Sequence, residues 1–211
     1  MNRLLLCTDL DRTLLPNGAP PDSPGARRSF ARLAAHPSVR TVYATGRDPA
    51  LVDEAIRSWG VPVPDLLIAD VGTTIASPAG GGWERWENWD EHLASEWSTL
   101  PPGGIPSVVD RIVGLRRQDA SCQTAFKKSW FTPGGDAGER AADEVRRRLA
   151  NAGVRANVIW SEDEQTGDGL LDVLPAAATK LLALEFVADW WGYDPAEVVF
   201  AGDSGNDLDV L

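Results

Sequence analysis

The segment LLLCTDLDRT, residues 4 to 13, ends a short apolar run with two aspartates two positions apart. In a strand, residues i and i+2 point to the same face, so Asp9 and Asp11 project together where the strand ends. Two carboxylates this close repel each other unless a cation or a shared proton compensates for them. The segment therefore predicts a metal site or an acid–base pair, and the alternative is a pair of solvated loop aspartates.

Short apolar runs rich in β-branched residues alternate with helical patterns, which favours an α/β fold with a parallel sheet. We predict strands of this sheet at five segments, which are residues 4–8, 39–44, 66–69, 170–174 and 198–201. Asp48 and Pro49 are typical of a helix start, and that helix is expected to end at Gly60. Pro175 predicts a second helix, from about residue 176 to 191 and ended by Gly192.

The middle of the chain has a different pattern. Breakers at Pro78 and residues 80–82, and again at residues 101–104, interrupt the alternation. Between and after them come a tryptophan cluster, a strand-like run at residues 123–131, a helical pattern at 139–151 and a further run at 154–160. The cluster comprises Trp83, Trp86, Trp89 and Trp97, which at helical spacing are more often core residues than a surface for sugar rings. We predict a Rossmann-like core at residues 1–77 and 171–211, with an inserted α/β domain at 78–170.

Composition narrows the possible partners and location. A net charge of −11 argues against nucleic acid and anionic membranes as partners, because their phosphates are repelled. The basic run at residues 146–148 is interpreted as a solvated helix face rather than a nucleic-acid site. Two cysteines do not make a disulfide framework, and no segment has the length of uncharged sequence that a membrane span requires. A cytoplasmic protein is expected.

A second acidic segment follows the last predicted strand. GDSGND, residues 202 to 207, brings Asp203, Asn206 and Asp207 to the same edge of the sheet as the first aspartates. Its glycines permit a tight turn in which these side chains converge. Hard oxygen ligands favour Mg²⁺, which usually binds few carboxylates together with a phosphate.

Two further segments supply groups for an anion. ATGR, residues 44 to 47, places Thr45 and the Gly46 amide near a helix N-terminus, where anions bind readily. Lys180 follows Pro175 and offers a positive charge to a phosphate oxygen. Taken singly, Thr45 is equally an ordinary turn residue, and a lone helical lysine is usually solvated.

Together these segments resemble, in order, the four motifs of the haloacid dehalogenase superfamily. An insertion between the second and third motifs resembles what that superfamily calls a type 2 cap. The chain is also similar to the sucrose-phosphate phosphatase branch, in the segments ADVGTTI (69–75), QTAFKKSWF (123–131), DVLPAAATKLLAL (172–184) and FAGDSGND (200–207). The resemblance implies a Mg²⁺-dependent phosphatase that hydrolyses a sugar phosphate, a phosphoric monoester.

The resemblance also implies roles for individual residues. Asp9 would be the nucleophile that forms an aspartyl-phosphate, and Asp11 the general acid and base. The implied Mg²⁺ ligands are Asp9, the Asp11 backbone carbonyl and Asp203, supported by Asn206 and Asp207. The implied phosphate-binding groups are Thr13, Thr45, Gly46 and Lys180, of which Thr45 and Lys180 also count as catalytic. In the cap, Lys127 and Ser129 are the candidates for sugar contacts, with Lys128 as the alternate to Lys127.

The sequence departs from the family pattern in two places. Residues 72–74 read Gly-Thr-Thr where sucrose-phosphate phosphatases have GTE or GSE, so a glutamate expected at the substrate is absent. The chain also ends at Leu211, whereas family members usually continue through another strand and helix, so an exposed sheet edge is expected. Two alternatives to a phosphatase are a sugar phosphomutase of the same superfamily and a degenerate phosphate-binding or regulatory module. The particular sugar and the oligomeric state are not predicted.

Overall fold

The computed structural model describes residues 3–16, 23–163, 166–203, 207 and 210. Within them the strands are β1 Leu4–Thr8, β2 Val39–Ala44, β3 Leu66–Ala69, β4 Thr74–Ala79, β5 Gly82–Arg85, β6 Arg116–Arg117, β7 Lys128–Thr132, β8 Ala156–Glu162, β9 Gly169–Pro175 and β10 Val198–Ala201. The α-helices are α1 Ala26–Ala34, α2 Pro49–Trp59, α3 Glu87–Glu96, α4 Gly104–Val109, α5 Gly135–Asn151 and α6 Lys180–Trp191. Across these ranges, none of the helices has both the length and the apolar character that a membrane crossing requires.

The chain divides into two compact units. The core unit comprises Met1–Trp89 and Thr179–Leu211, and the inserted unit comprises Asp90–Ala178. The inserted unit therefore begins 12 residues later than predicted and ends 8 residues later, at 90 instead of 78 and at 178 instead of 170. The shift at the start arises because β4 and β5 pair with the core sheet and extend it.

The core sheet has the order β10-β1-β2-β3-β4-β5. The first four strands are parallel, β4 runs antiparallel to β3, and β5 runs antiparallel to β4. The predicted α/β class with a parallel-sheet core is thus confirmed, as are the predicted strands at residues 4–8, 39–44, 66–69 and 198–201. In this register Thr8 lies between Tyr43 and Ala201, so the residues that follow β1, β2 and β10 all lie at one edge of the sheet.

Helix boundaries follow the capping residues. The Asp48 side chain accepts a hydrogen bond from the Leu51 amide, Pro49 opens α2, and Gly60 ends it in the left-handed conformation, as predicted. The predicted start of the second helix near residue 176 is wrong, because α6 begins at Lys180. Thr179 caps this helix by accepting from the Leu182 amide. Pro175 instead closes β9, and its carbonyl accepts from the Ala178 amide in the intervening turn.

The inserted unit has its own antiparallel sheet, in the order β6-β7-β9-β8. The segment at 170–174 belongs to it as part of β9, so its predicted place in the parallel sheet is wrong. A short apolar run does not reveal its partner strands, since periodicity is a local property. The strand predicted at residues 123–131 is shorter in the structure, where β7 begins at Lys128. The helix predicted at residues 139–151 begins earlier, at Gly135 of α5. Helix α5 packs on the sheet through Ala142, Val145 and Leu149.

The tryptophans serve mainly as packing residues. Trp89 and Trp97 are 1% and 8% exposed, in agreement with the core interpretation. Trp83 is partly exposed and donates its indole N–H to Asp53, and Trp86 donates to the Ser77 hydroxyl. The aromatic rings therefore tie neighbouring elements together within their units.

The arginines at 146–148 lie on α5 as predicted for a solvated helix face. They pair with acidic residues of the preceding turn, Asp143 and Glu144. Cys7 and Cys122, both within the described ranges, form no disulfide.

Candidate active site

Asp9 is the first residue after β1 and is almost closed to solvent, at 5% exposure. Its amide donates to the Ala201 carbonyl at 2.8 Å, which holds it against the end of β10. Its Oδ1 atom accepts from the Leu10 amide at 2.7 Å. Burial raises the pKa of Asp9 to about 6, although the neighbouring Lys180 ammonium acts to lower the pKa.

Three carboxylates from two chain segments converge at this edge. Asp9, Asp203 and Asp207 each offer an oxygen, and these atoms lie within 4.8 Å of one another. Asp207 is fully buried, and its Oδ2 atom accepts from the Asp203 amide at 3.1 Å. Gly202 permits this turn, because a Cβ atom there would lie 2.5 Å from Asp207 Cγ. A set of carboxylate oxygens suits a hard divalent cation such as Mg²⁺. Asn206 lies outside the described residues.

Lys180 lies between two of these carboxylates. Its ammonium is 2.7 Å from Asp207 Oδ1 and 3.3 Å from Asp9 Oδ2, and the residue is only 2% exposed. Lys180 is the first residue of α6, and the Thr179 cap fixes where that helix begins. The interpretation of Lys180 as a solvated surface lysine is therefore wrong.

The Asp11 side chain is paired with an arginine that the sequence analysis did not select. Arg47 Nη2 lies 2.6 Å from Asp11 Oδ1, and Arg47 Nε lies 2.9 Å from Asp11 Oδ2, which makes the pair bidentate. The pair with Asp11 raises the pKa of Arg47. Arg47 ends the ATGR segment, and its positive charge in that predicted anion-binding segment was the available signal.

A second arginine reaches the cluster from the first motif. Arg12 has a positive φ of 58°, and its Nε atom lies 3.1 Å from Asp203 Oδ2. Arg12 thus contacts Asp203, whereas Lys180 contacts Asp9 and Asp207.

The remaining residues that were predicted to bind phosphate lie in the same unit. Thr45 is fully buried, and its hydroxyl accepts from the Arg47 amide at 3.2 Å. Gly46 has space beside it, since a Cβ atom there would meet nothing closer than Val71 Cγ2 at 3.8 Å. The Thr13 hydroxyl is buried without a hydrogen-bond partner among the described residues. An unsatisfied buried hydroxyl requires an explanation, and a bound ligand oxygen supplies one.

A strained turn supports the ATGR segment. Asp70, Val71 and Gly72 have consecutive positive φ angles of 49°, 59° and 100°. A β-branched residue in this region is a genuine outlier, and such strain is maintained only by surrounding contacts. Here the Val71 amide donates to the Thr45 carbonyl at 3.1 Å, and the Asp70 amide donates to the Arg47 carbonyl at 3.0 Å. The turn therefore holds the Thr45–Arg47 backbone, a role for which the sequence offered only the ADVGTT glycine as a signal.

The position at which the family glutamate was expected is closed to solvent. Thr74 is 2% exposed, and its hydroxyl accepts from Arg85 Nη1 at 2.8 Å. The Thr74 side chain therefore makes its hydrogen bond within the core unit.

In the inserted unit, the two predicted sugar-contact residues meet at a third residue. Ser129 is fully buried, and its hydroxyl donates to Asp172 Oδ1 at 2.5 Å. Lys127 Nζ lies 4.0 Å from Asp172 Oδ2. Lys128, the alternate, donates to the Thr124 carbonyl at 2.5 Å, and burial, with Arg117 nearby, lowers its pKa. Asp172 was not selected as a site residue from the sequence, where it lay in a predicted strand and in one of the segments that carry the family resemblance.

Comparison with known proteins identifies the family. A model of the sucrose-6F-phosphate phosphohydrolase family matches residues 2–211. A Nitrosococcus oceani protein described as a HAD-like hydrolase is 42% identical over 209 residues, which cover 99% of this chain and 56% of that protein. Mannosylfructose-phosphate phosphatase of Agrobacterium fabrum is 31% identical over 206 residues, covering 96% of this chain and 76% of that enzyme.

The fold also agrees with a solved structure. The sucrose-phosphatase from Synechocystis sp., in complex with sucrose and phosphate, has a TM-score of 0.77 and 24% sequence identity, covering 99% of this chain and 78% of that one. The chain spans about half the length of several curated relatives, for example 48% of a sucrose-phosphatase of Nicotiana tabacum. With the family match over nearly the whole sequence, the chain belongs to the sucrose-6F-phosphate phosphohydrolase family of the haloacid dehalogenase superfamily.

Proposed function

We propose that the chain is a Mg²⁺-dependent phosphatase that hydrolyses a sugar phosphate, a phosphoric monoester. The observation that carries the proposal is the buried ammonium of Lys180 between Asp9 and Asp207, with Asp203 beside them. A buried ammonium beside buried carboxylates suits an enzyme that binds a phosphate dianion through the cation and attacks it with a carboxylate. Membership of the family supports the same activity.

Asp9 is the proposed nucleophile. One of its carboxylate oxygens attacks phosphorus, and a phosphorus–oxygen bond forms as the ester bond to the sugar breaks. The departing sugar oxygen takes a proton from Asp11, which leaves an aspartyl-phosphate and a free sugar. Two nitrogens of Arg47 donate hydrogen bonds to the Asp11 carboxylate. At least one of these hydrogen bonds must break before an Asp11 oxygen can carry the proton.

The second step returns the enzyme to its starting state. Asp11 takes a proton from a water molecule, whose oxygen attacks phosphorus and releases Asp9 and inorganic phosphate. Lys180, Thr45 and Thr13 are the proposed partners of the phosphate oxygens. Asp9, the Asp11 carbonyl, Asp203, Asn206 and Asp207 are the proposed metal-binding groups. A bound Mg²⁺ neutralises charge on the transferred phosphoryl group.

The proposed substrate class is a sugar phosphate, and the family points towards a disaccharide phosphate. Relatives are named for sucrose phosphate and for mannosylfructose phosphate, which are different sugars. At the position of the expected glutamate, Thr74 is buried and its hydroxyl accepts a hydrogen bond from Arg85. We therefore do not restrict the proposed substrate to sucrose 6-phosphate. The expected cytoplasmic location stays a prediction.

The proposal is tested by phosphate release from a panel of sugar phosphates, with Mg²⁺ and with EDTA. We expect release from at least one disaccharide phosphate only when Mg²⁺ is present. Asp9→Asn should abolish release, and phosphate from a labelled substrate should stay on the acid-quenched wild type but not on this variant. Asp189→Asn, the same change at an exposed position of α6, is the control. Isomerisation of a sugar phosphate without release would instead identify a mutase, and binding without turnover would identify a regulatory module.

A further inference from the structure

One short turn, at residues 70–72, contacts both chain segments that carry the proposed phosphate-binding groups. Its first contact is with the ATGR segment. The Val71 amide donates to the Thr45 carbonyl at 3.1 Å, and the Asp70 amide donates to the Arg47 carbonyl at 3.0 Å. Two consecutive amides of the turn thus hold the backbone from which the Thr45 hydroxyl projects.

The second contact of the turn is with the start of α6. A Cβ atom at Gly72 would lie 2.5 Å from the carbonyl carbon and oxygen of Thr179, so the two backbones pack directly against each other. Thr179 caps α6, and Lys180 is the first residue of that helix. A shift of the Gly72 backbone therefore displaces the start of α6 and, with it, the Lys180 ammonium.

The turn does not keep its conformation by local preference. Its three residues have φ angles of 49°, 59° and 100°, a region that suits Gly72 but costs energy at Asp70 and more at the β-branched Val71. If Val71 returned to a negative φ, its amide would point away from the Thr45 carbonyl. The conformation of the turn therefore depends on contacts from other parts of the core unit.

The Trp89 side chain supplies one of these contacts. Its Nε1 atom donates to the Gly72 carbonyl at 3.0 Å, and the residue is 1% exposed. The ring of Trp89 also packs against Phe186 of α6, with 5.0 Å between the ring centroids. Trp89 thus contacts the turn through its indole N–H and α6 through its ring, and all these residues belong to the core unit.

We propose that Trp89 is a positioning residue for phosphate binding. Its hydrogen bond to the Gly72 carbonyl holds the strained turn, and the turn holds the Thr45 hydroxyl and the Lys180 ammonium in place relative to each other. The inference rests on the proposed function. It adds a residue that acts through others and is not itself among the proposed phosphate-binding or metal-binding groups.

The binding test removes the indole N–H and keeps an aromatic ring. In Trp89→Phe, the dissociation constant for inorganic phosphate should rise by about 5- to 50-fold, as expected when a buried carbonyl loses its donor. Nuclear magnetic resonance titration measures this constant. The kcat/KM for p-nitrophenyl phosphate should fall by a similar factor, because the same contacts bind its phosphate.

Trp97→Phe is the matched control. Trp97 is also buried, at 8% exposure, and its indole also donates to a backbone carbonyl, that of Arg155, at 3.3 Å. Trp97 belongs to the inserted unit, so its variant should keep the wild-type affinity for phosphate. Thermal unfolding of both variants shows whether each remains folded at the temperature of the titration.

A second measurement depends neither on a ligand nor on turnover. In Trp89→Phe, hydrogen exchange should become faster at the amides of residues 70 and 71 and stay unchanged at residues 5–7 of β1, because the turn opens locally. Unchanged phosphate affinity, unchanged exchange at residues 70 and 71, or the same changes in Trp97→Phe would overturn the inference. If wild type neither binds nor releases phosphate, the proposed function is refuted, and the exchange rates alone decide whether Trp89 holds the turn.

Discussion

Lys180 and Asp207 form an ion pair with 2.7 Å between Nζ and Oδ1, and solvent reaches neither side chain to more than 1%. The same ammonium lies 3.3 Å from Asp9 Oδ2, so one cation serves two buried carboxylates. Burial of charges is tolerated only when each is paired, since the solvation lost is larger than any single interaction regained. Lys180 is therefore expected to contribute to the stability of the core unit as well as to the proposed chemistry.

We predict that Lys180→Met unfolds more easily than wild type by about 3–5 kcal/mol, because it leaves two buried carboxylates without their cation. Urea titration measures the free energy of unfolding. The double variant Lys180→Met/Asp207→Asn should recover part of the loss, since it removes one of the two uncompensated charges. A double variant that is as unstable as the sum of the two single variants would show that the residues are not energetically coupled.

Of the two glycines Gly72 and Gly60, which both have a positive φ, Gly72 is expected to tolerate substitution less well. A Cβ atom at Gly72 would lie 2.5 Å from the carbonyl carbon and oxygen of Thr179, whereas at Gly60 nothing lies within 4 Å. Gly60→Ala should cost about 1–2 kcal/mol from backbone strain alone. Gly72→Ala should cost a further 1–3 kcal/mol or so from overpacking, and it should reduce phosphate release because Thr179 precedes Lys180. Similar losses of stability in the two variants would contradict this close contact.

Arg12 is predicted to weaken Mg²⁺ binding. Its Nε atom lies 3.1 Å from Asp203 Oδ2, and it is partly exposed, so it competes with a cation for that oxygen. Arg12→Gly should lower the Mg²⁺ concentration for half-maximal phosphate release by about 1.5- to 5-fold, the range that corresponds to an exposed ion pair. Glycine also accepts the φ of 58° at this position. Arg12→Lys keeps the charge and should show little change, so equal shifts in both variants would exclude competition.

Asp110 is predicted to make the inserted unit sensitive to acid. Arg117 donates to its Oδ1 atom at 2.9 Å, and this hydrogen bond holds the pKa of Asp110 below its ordinary value of 3.8. Because the folded-state pKa is lowered, the stabilisation is present above pH 3.8 and is lost as the pH falls through the lowered value. Between about pH 6 and about pH 3, the free energy of unfolding should therefore fall more for wild type than for Asp110→Asn.

Intrinsic tryptophan fluorescence can follow this transition in urea, and Trp130, whose indole donates to Asp110 Oδ1, contributes to that signal. Asp119→Asn, an exposed aspartate of the same unit, is the matched control and should keep the wild-type dependence on pH. Equal loss of stability in wild type and Asp110→Asn on acidification would contradict the prediction.

Local patterns in the chain were sufficient for the α/β class, the four parallel strands and the position of the acidic motifs. Strand periodicity, the Asp48 cap and the glycines at 60 and 192 act on near neighbours, so a reader of the sequence can evaluate them one segment at a time. The convergence of Asp9 with Asp203 followed from the same logic, because the carboxyl ends of adjacent parallel strands meet at one edge.

Long-range pairing decided the rest. The apolar segment that contains Asp172 fits either sheet by its pattern, and only its hydrogen bonds with β7 and β8 place it in the inserted unit. The partners of Arg47 and the burial of Lys180 likewise depend on residues 36 and 27 positions away, at Asp11 and Asp207. Periodicity describes which side of an element is apolar, whereas the partner of a charge depends on which elements the folded chain brings together.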